Sequence, residues 1–328
     1  DYYVDNDLID CLAINFDQYT DFMNSDRLKL FEPQEKYPNV YDIVQDVFVY
    51  ENTLYARPFV FSPVILCYNL KHFIDKGLPE PDGTWTWEDL MQVAKKLSDG
   101  KERYGFYFHL LSQNRWPIFL LQNGCKYNAK SHSFNSSLFI ESMKLCRELI
   151  LEQCNSTLFI ADGDLFAEQL FVKEKASVIM TTYFNLNYIM NSGIPFEIAP
   201  LPYIKKPKSL LLTIGISVMK TSSRKDAAQR FADYLTSYDS QLYIRQNTLS
   251  IPCIKQAAER NDFHRYYQPK TFKCYEEMLP TLCYYDELGM TSLQLLKLRD
   301  ELSLYWSGLS EETHLLDELQ KILDSKST

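Results

Sequence analysis

Short clusters of aromatic and hydrogen-bonding side chains interrupt or follow the predicted strands of this 328-residue chain. Aromatic rings stack on the apolar faces of a ligand, and amide, carboxylate and guanidinium groups hydrogen-bond its polar groups. Such residues bind a small molecule best from loops at strand ends. The candidate ligand-binding residues are Asp17, Gln18 and Tyr19; Phe59 and Ser62; Gln113, Arg115 and Trp116; Tyr183 and Phe184; and Gly215.

Each cluster also has an interpretation that requires no ligand. Residues 17–19 could form a solvated loop, and residues 59–62 could serve only to pack a hinge. Trp116 precedes a proline and an apolar helix, which favours a buried position over a stacking one. Phe184, at the predicted start of a helix, is the preferred aromatic platform. Gly215 would let a ligand or another part of the chain approach closely.

Catalytic chemistry has little support in the sequence. The five histidines are isolated and show no spacing that suits a metal or an activated nucleophile. The GxSxG pattern of a hydrolase fails at Met219, and no glycine-rich phosphate loop occurs. The eight cysteines are scattered and form no CxxC pair. We therefore expect no enzyme activity, no catalytic residue, no metal and no cofactor.

The composition indicates a globular protein of roughly two domains. Hydrophobic residues make up 46% of the chain, and no stretch approaches the ~20 apolar residues of a membrane span. The net charge of −9 and the scarcity of basic runs argue against direct nucleic-acid contact. The chain begins at Asp1 rather than Met, so we expect a signal peptide or another module upstream. The many thiols mildly favour a reducing compartment.

Strands alternate with helices, which predicts an α/β fold. The strand "LIDCLAIN" at 8–15 runs into a polar cluster, which suggests a parallel sheet with a polar crevice at its carboxyl edge. Thr86 and Asp89 predict a capping box at the start of a helix over 84–100. Ser223 and Asp226 predict a second one, before a helix that turns Ala227, Ala228, Phe231 and Leu235 inward.

The segment "ARPFVFSPVILCYNLKHF" at 56–73 reads as a strand but contains Pro58 and Pro63. Each proline removes a ladder donor, so we interpret the segment as a strand that leaves one sheet and enters another. A proline-pinned edge strand is the alternative. The return crossover is "LLLTIGISVMK", at 210–220. The predicted lobes are 1–61 with 212–268, and 62–211 with 269–328.

Four segments, in the same order, resemble a known family. They are "LYARPF…AKKL" (54–97), "LFVKEKASVIMTTYFNLNYI" (170–189), "ISVMK…IPCIK" (216–255) and "WSGLSEETHLLDELQKIL" (306–323). The chain resembles the extracellular solute-binding proteins of sugar ABC transporters. This resemblance implies a two-lobe periplasmic-binding-protein-like fold of type II with crossover strands as the hinge. The family's first strand–helix–strand has no counterpart before Asp1, so this part of lobe I is expected to be missing.

The resemblance implies binding of a carbohydrate, an oligosaccharide or a glycoside, in a cleft that closes as the lobes rotate. An ABC permease would be the partner, and the protein would lie outside the cytoplasm as a lipoprotein or in the periplasm. The segment "EKASVIMTTYF" lacks the family's glycines and has Phe184 where a tryptophan is common. One alternative is the ligand-sensing part of a cytoplasmic winged-helix regulator. A carbohydrate-active hydrolase is the second alternative, although the sequence cannot place its two carboxylates.

Overall fold

The computed structural model describes residues 8–100, 102–109, 114–128, 133–153, 166–260 and 268–325, together with Val4, Ser112 and Asp262. Within these residues strands and helices alternate along the chain. The strands are β1 Cys11–Asn15, β2 Val49–Tyr50, β3 Thr53–Leu54, β4 Arg57–Asn69, β5 Tyr104–Tyr107, β6 Ala176–Thr182, β7 Phe196–Ala199, β8 Ser209–Val218, β9 Ile251–Pro252 and β10 Leu282–Cys283. The helices are α1 Phe16–Asn24, α2 Asp42–Gln45, α3 Leu70–Lys76, α4 Trp87–Leu97, α5 Pro117–Asn123, α6 Ser136–Gln153, α7 Ala167–Val172, α8 Tyr183–Met190, α9 Lys225–Leu235, α10 Tyr238–Asn247, α11 Lys255–Ala258, α12 Pro269–Met278, α13 Ser292–Trp306 and α14 Glu312–Asp324.

The chain divides into two compact units. Unit 1 consists of Asp1–Ser62 and Leu211–Pro269, and unit 2 consists of Pro63–Leu210 and Lys270–Thr328. The two strands β4 and β8 each begin in one unit and end in the other. The pairing of β4 changes along its length: Val60 and Phe61 pair with β9, and the stretch from Val64 onwards pairs with β6 and β7. The change of partner therefore falls beside Pro63, where a missing N–H does not interrupt a continuous ladder.

Unit 1 has short antiparallel pairings. β1 pairs with β8 so that Ile14 lies opposite Gly215, and β2 and β3 form a hairpin. Glu51 and Asn52 at the hairpin tip have φ of 47° and 62°, and positive φ at both central residues is typical of a type I′ hairpin turn. The parallel arrangement expected for the strand at 8–15 is wrong. β8 enters from unit 2 and runs against β1, so the end of β1 is not the carboxyl edge of a parallel sheet.

Unit 2 has a mixed sheet in the order β7-β4-β6-β5. β5 runs parallel to β6, and β4 runs antiparallel to both β6 and β7. All seven residues of β6 are buried. β6 leads directly into α8 at Tyr183. The first turn of α8 therefore lies at the end of a fully buried strand.

Helix caps explain several element boundaries. The predicted box at α4 is confirmed, because the side chain of Thr86 accepts from the N–H of Asp89 and the Asp89 carboxylate accepts from the N–H of Thr86. The predicted box at Ser223 and Asp226 is wrong. α9 starts after Arg224 and has no side-chain cap. The hydroxyl of the neighbouring Ser222 hydrogen-bonds Asp10 instead, at 2.7 Å.

The inward face predicted for α9 is correct only in part. Ala228 and Ala232 are buried, but Ala227 is exposed and Phe231 is 50% exposed. The buried stripe of α9 is therefore narrower than the apolar pattern suggested. No helix in the described part of the chain is both long enough and apolar enough to cross a membrane.

Candidate functional site

The candidate site in unit 2 centres on the junction of β6 and α8. Glu168 of α7 is almost fully buried, and its carboxylate accepts hydrogen bonds from the hydroxyl of Thr181 and from Nδ2 of Asn185, the latter at 2.9 Å. These bonds tie the end of β6 and the first turn of α8 to one buried carboxylate. The backbone between them carries Tyr183 and Phe184, so both residues are held in a fixed place.

Tyr183 and Phe184 have different environments although they are adjacent. Tyr183 is completely buried, and its hydroxyl lies 3.5 Å from the carbonyl oxygen of Thr271. Phe184 is half-buried. Tyr183 is therefore packed in the interior of unit 2, whereas Phe184 is partly exposed.

An exposed aromatic residue that sequence reasoning missed lies one helical turn beyond Phe184. Tyr188 of α8 is 53% exposed. Residues four apart on a helix share a face, with about 5–6 Å between their Cβ atoms. The spacing of four residues between Phe184 and Tyr188 is the signal in the sequence that predicts a shared helix face. Asn185 and Glu168 were also missed, because their link depends on a hydrogen bond between two helices.

Arg115 and Trp116 are buried in unit 2 at the start of α5. Burial lowers the pKa of the Arg115 guanidinium to about 10, and the negative charge of Glu168 opposes that shift. Nη1 of Arg115 donates to the backbone and side-chain oxygens of Asn114, and Nε has no hydrogen-bond partner. Trp116 is 0% exposed, and its indole N–H also lacks a partner. Trp116 therefore takes the core position that the sequence favoured. Gln113 lies outside the described residues.

The polar cluster at 17–19 in unit 1 is a helix start and not a loop. Asn15 is the N-cap of α1, and the Asn15 and Gln18 side chains form a reciprocal capping box. The N-x-x-Q pattern at residues 15–18 is the signal in the sequence that predicts this helix start. Asp17 and Gln18 remain accessible at the first turn, beside the point where β1 pairs with Ile214 of β8.

Tyr19 belongs to the core of unit 1. It is 2% exposed, its ring packs edge-on against Phe48 with 5.4 Å between centroids, and its hydroxyl donates to the Phe48 carbonyl at 2.7 Å. Burial raises the pKa of its phenol well above the usual range. These contacts account for Tyr19 as a structural residue.

The crossover residues of unit 1 are also closely packed. Phe59 is half-buried against Ile216 and Val218 beneath α9, and Ser62 is completely buried. Gly215 has ordinary backbone angles, but a Cβ there would lie 2.9 Å from Cβ of Ala56. The chain itself therefore approaches Gly215 closely, and approach of a ligand stays a prediction.

The described residues contain no group of three or more His, Cys, Asp or Glu side chains that could hold a metal ion. All seven cysteines that the structure describes are free thiols, and all but Cys11 are buried. The described part of unit 2 thus offers a partly exposed aromatic face, from Phe184 and Tyr188, next to the buried hydrogen bonds of Glu168. Unit 1 offers the first turn of α1. Stacking and hydrogen bonding are the chemistry that these groups can provide.

Comparisons with known proteins are consistent with this chemistry. The chain is 24% identical over 221 residues to the galactooligosaccharide-binding protein of Bacillus subtilis. The match covers 63% of this chain and 51% of that protein. It is 23% identical over 236 residues to an sn-glycerol-3-phosphate-binding periplasmic protein of Brucella abortus. This match covers 65% of this chain and 53% of that protein. The chain therefore spans about half the length of these curated relatives.

Solved structures match almost the whole chain. An ABC substrate-binding protein from Listeria monocytogenes in complex with cycloalternan superposes with a TM-score of 0.79 at 18% identity, over 96% of this chain and 84% of that one. The maltose-bound MalE3 of T. maritima superposes with a TM-score of 0.77 at 16% identity, over 96% and 83%. These matches confirm the predicted periplasmic-binding-protein-like fold. Residues 3–271 match the family described as bacterial extracellular solute-binding protein, and the chain belongs to that family.

Proposed function

We propose that this protein binds a carbohydrate, an oligosaccharide or a glycoside, and delivers it to an ABC-type permease. The family match carries the proposal, because it covers residues 3–271. The names of similar proteins support the ligand class: one is a galactooligosaccharide-binding protein, and others were solved with cycloalternan or maltose. The protein would act outside the cytoplasm, in the periplasm or as a cell-surface lipoprotein, and without catalysis.

In unit 2, we propose that Phe184 stacks on the apolar face of a sugar ring. Its partial exposure and the anchoring of α8 through Asn185 and Glu168 support this role. Arg115 is buried, so it would contribute through its charge rather than as an exposed donor. In unit 1, Asp17 and Gln18 are the polar groups that a ligand could reach.

We propose that β4 and β8 form the hinge, because both strands run from unit 1 to unit 2. Ligand contacts on both units would favour a closed state, and only the difference in affinity between open and closed states drives closure. Small-angle X-ray scattering would detect closure as a fall in the radius of gyration on adding sugar. Saturable binding with an unchanged scattering curve would contradict the hinge.

Calorimetric titration with a panel of maltose, maltotriose, galactooligosaccharides and sn-glycerol-3-phosphate tests the function. A parallel assay for released sugar tests the hydrolase alternative. We expect saturable binding of at least one carbohydrate and no product. Product formation would overturn the non-catalytic proposal, and the absence of binding across the panel would remove support for the carbohydrate class.

Phe184→Ala tests the proposed platform. Loss of one stacking ring should weaken sugar binding about 2- to 10-fold, because aromatic stacking contributes ~0.5–1.5 kcal/mol beyond burial. The melting temperature should change little, since the ring is already partly exposed. Tyr243→Ala is the matched control, because Tyr243 is 66% exposed in unit 1. Unchanged affinity together with a collapsed melting temperature would assign Phe184 to the core instead.

The second candidate function is that of the ligand-sensing part of a cytoplasmic winged-helix regulator. The free thiols favour it, since seven described cysteines form no disulfide. The gene sequence upstream of Asp1 discriminates the two: an export signal supports the receptor, and a winged-helix domain supports the sensor.

A further inference from the structure

A cavity of about 360 Å³ in unit 2 lies where the loop after α13 leads into α14. Its walls come from Arg147 on α6, Tyr305 on α13, and Ser310 and Thr313 around the start of α14. The segment at 306–323 was one of the family-like stretches of the sequence, yet carbohydrate binding gives it no role. None of the residues that line the cavity belongs to β6 or α8, so the cavity is separate from that junction.

Arg147 forms no salt bridge with a described residue. Glu311 and Glu312 line the same cavity, but neither carboxylate lies within 4.0 Å of its guanidinium, and Glu312 pairs with Lys144 at 2.8 Å. The guanidinium lies over the ring of Tyr305, with Cζ 5.4 Å from the centroid. Its Nε is buried without a hydrogen-bond partner. A buried donor without an acceptor is costly and is rare in native proteins.

Tyr305 lies on the same wall. The residue is 1% exposed, and its hydroxyl accepts from the Arg147 guanidinium, which opposes the rise in the phenol pKa that burial causes. A tyrosine hydroxyl that accepts one hydrogen bond can still donate its own proton. An anion in the cavity could accept that proton.

The start of α14 faces the same place. This 13-residue helix has Glu311 as its N-cap, and no side chain caps its first-turn N–H groups. Helix N-termini carry a partial positive charge and unpaired donors, which favour anions. Gly308 makes room for the arginine, because a Cβ there would lie 3.2 Å from Nη2 of Arg147.

We propose that this cavity binds a small oxyanion, a phosphate or carboxylate group, through Arg147, the hydroxyl of Tyr305 and the first-turn N–H groups of α14. The two glutamates at the rim oppose binding. Glu312 is paired with Lys144, whereas Glu311 is exposed and has no ion-pair partner within 4.0 Å among the described residues. Glu311 therefore sets an upper limit on the affinity for the anion.

The test is a titration of the whole chain with inorganic phosphate at low ionic strength. Binding is followed by ³¹P line width and by the fluorescence of Trp306, which is buried beside Tyr305. We expect saturable binding that Arg147→Gln weakens by more than about tenfold and Tyr305→Phe by roughly three- to tenfold. Circular dichroism should show that both variants fold. Tyr243→Phe, which removes an exposed hydroxyl in unit 1, should bind phosphate normally.

Glu311→Gln gives a readout that a purely structural role would not produce. Removal of the rim carboxylate should tighten phosphate binding several-fold. Glu276→Gln, an exposed position on α12, changes the net charge equally and should leave binding unchanged. Acetate and glycerol phosphate in place of phosphate identify whether the anion is a free ion or part of a larger solute.

Two results would overturn the proposal. One is the absence of saturable binding of phosphate, acetate and glycerol phosphate to both the wild-type chain and Glu311→Gln. The other is phosphate binding that survives Arg147→Gln. Phe184→Ala should bind phosphate normally, so failure of the carbohydrate site and failure of this site are distinguishable.

Discussion

Substituting Gly215 by alanine would test whether this glycine serves packing or ligand binding. Gly215 lies on β8 opposite Ile14 of β1. A Cβ at this position would lie 2.9 Å from Cβ of Ala56 and 3.0 Å and 3.1 Å from two ring carbons of Phe48. Carbon atoms prefer separations of about 3.5–4.0 Å. Ala56 and Phe48 are both fully buried, so neither can move into solvent.

The expected cost follows from this crowding. Inserting one methyl group into a packed core costs about 1–3 kcal/mol. The backbone angles of Gly215 lie outside the left-handed region, so steric overlap is the whole penalty. Thermal unfolding should show a fall in Tm of several degrees, about 2–8 °C per kcal/mol. Hydrogen exchange in β1 and β8 would localise the loss to unit 1, since unfolding of two units need not be a single transition.

Ala56→Gly provides the matched partner variant. It removes the atom that the new methyl group would approach most closely, at 2.9 Å. The double variant should therefore be more stable than the sum of the single effects, by about 0.5 kcal/mol or more. The packing argument would be refuted if Gly215→Ala were as stable as the wild type. It would also be refuted if the stability change of the double variant equalled the sum of the two single changes. Weaker sugar binding at unchanged stability would instead support the ligand-approach interpretation.

Two further changes probe unit 2. Glu174 has φ of +56°, a conformation that glycine adopts without strain. Glu174→Gly should therefore raise the free energy of unfolding by about 1 kcal/mol. A fall in Tm would contradict this argument. Glu80 accepts from Lys270 and Tyr68, which lowers its pKa below 4.5. A carboxylate whose pKa is lower in the folded state stabilises the fold above pH 4.5, and this contribution is lost as the pH falls further. The urea midpoints of the wild type and of Glu80→Gln should therefore converge as the pH falls from 6 to 3. A gap that is independent of pH would count against this assignment.

Local signals in the sequence predicted the elements well. The periodicity of Leu90, Val93, Ala94 and Leu97 placed α4, and all four residues are buried. Gly77 ends α3 in the left-handed conformation, as expected for a C-cap glycine. The apolar repeat and the C-cap depend on residues that are close together in the sequence. They can therefore be predicted without knowing which distant segments pack against the helix.

The errors have specific causes. Ser223 looked like an N-cap, but the hydroxyl beside it, on Ser222, bonds Asp10, which lies 212 residues away in the sequence. Phe231 followed the apolar repeat of α9, yet only Ala228 and Ala232 on that helix are buried. Both outcomes depend on which distant segment packs against the helix, and periodicity carries no information about that.

The candidate site divides in the same way. The position of Phe184 at the start of a helix could be read from the sequence, because the change from the strand pattern to the helix pattern occurs there. The difference between Tyr183 and Phe184 could not, because it depends on contacts with α12 and on the hydrogen bond from Asn185 to Glu168.

The sequence by itself determined the alternation of strands and helices, the two chain crossings and the family resemblance, because these reside in local patterns and their order. Only the tertiary structure decided that Tyr19 donates to the carbonyl of Phe48, 29 residues away, and that Gly215 lies against Ala56. Burial and hydrogen-bond satisfaction are properties of the packed chain. An aromatic or polar side chain therefore becomes a core residue or a ligand contact only once distant segments have met.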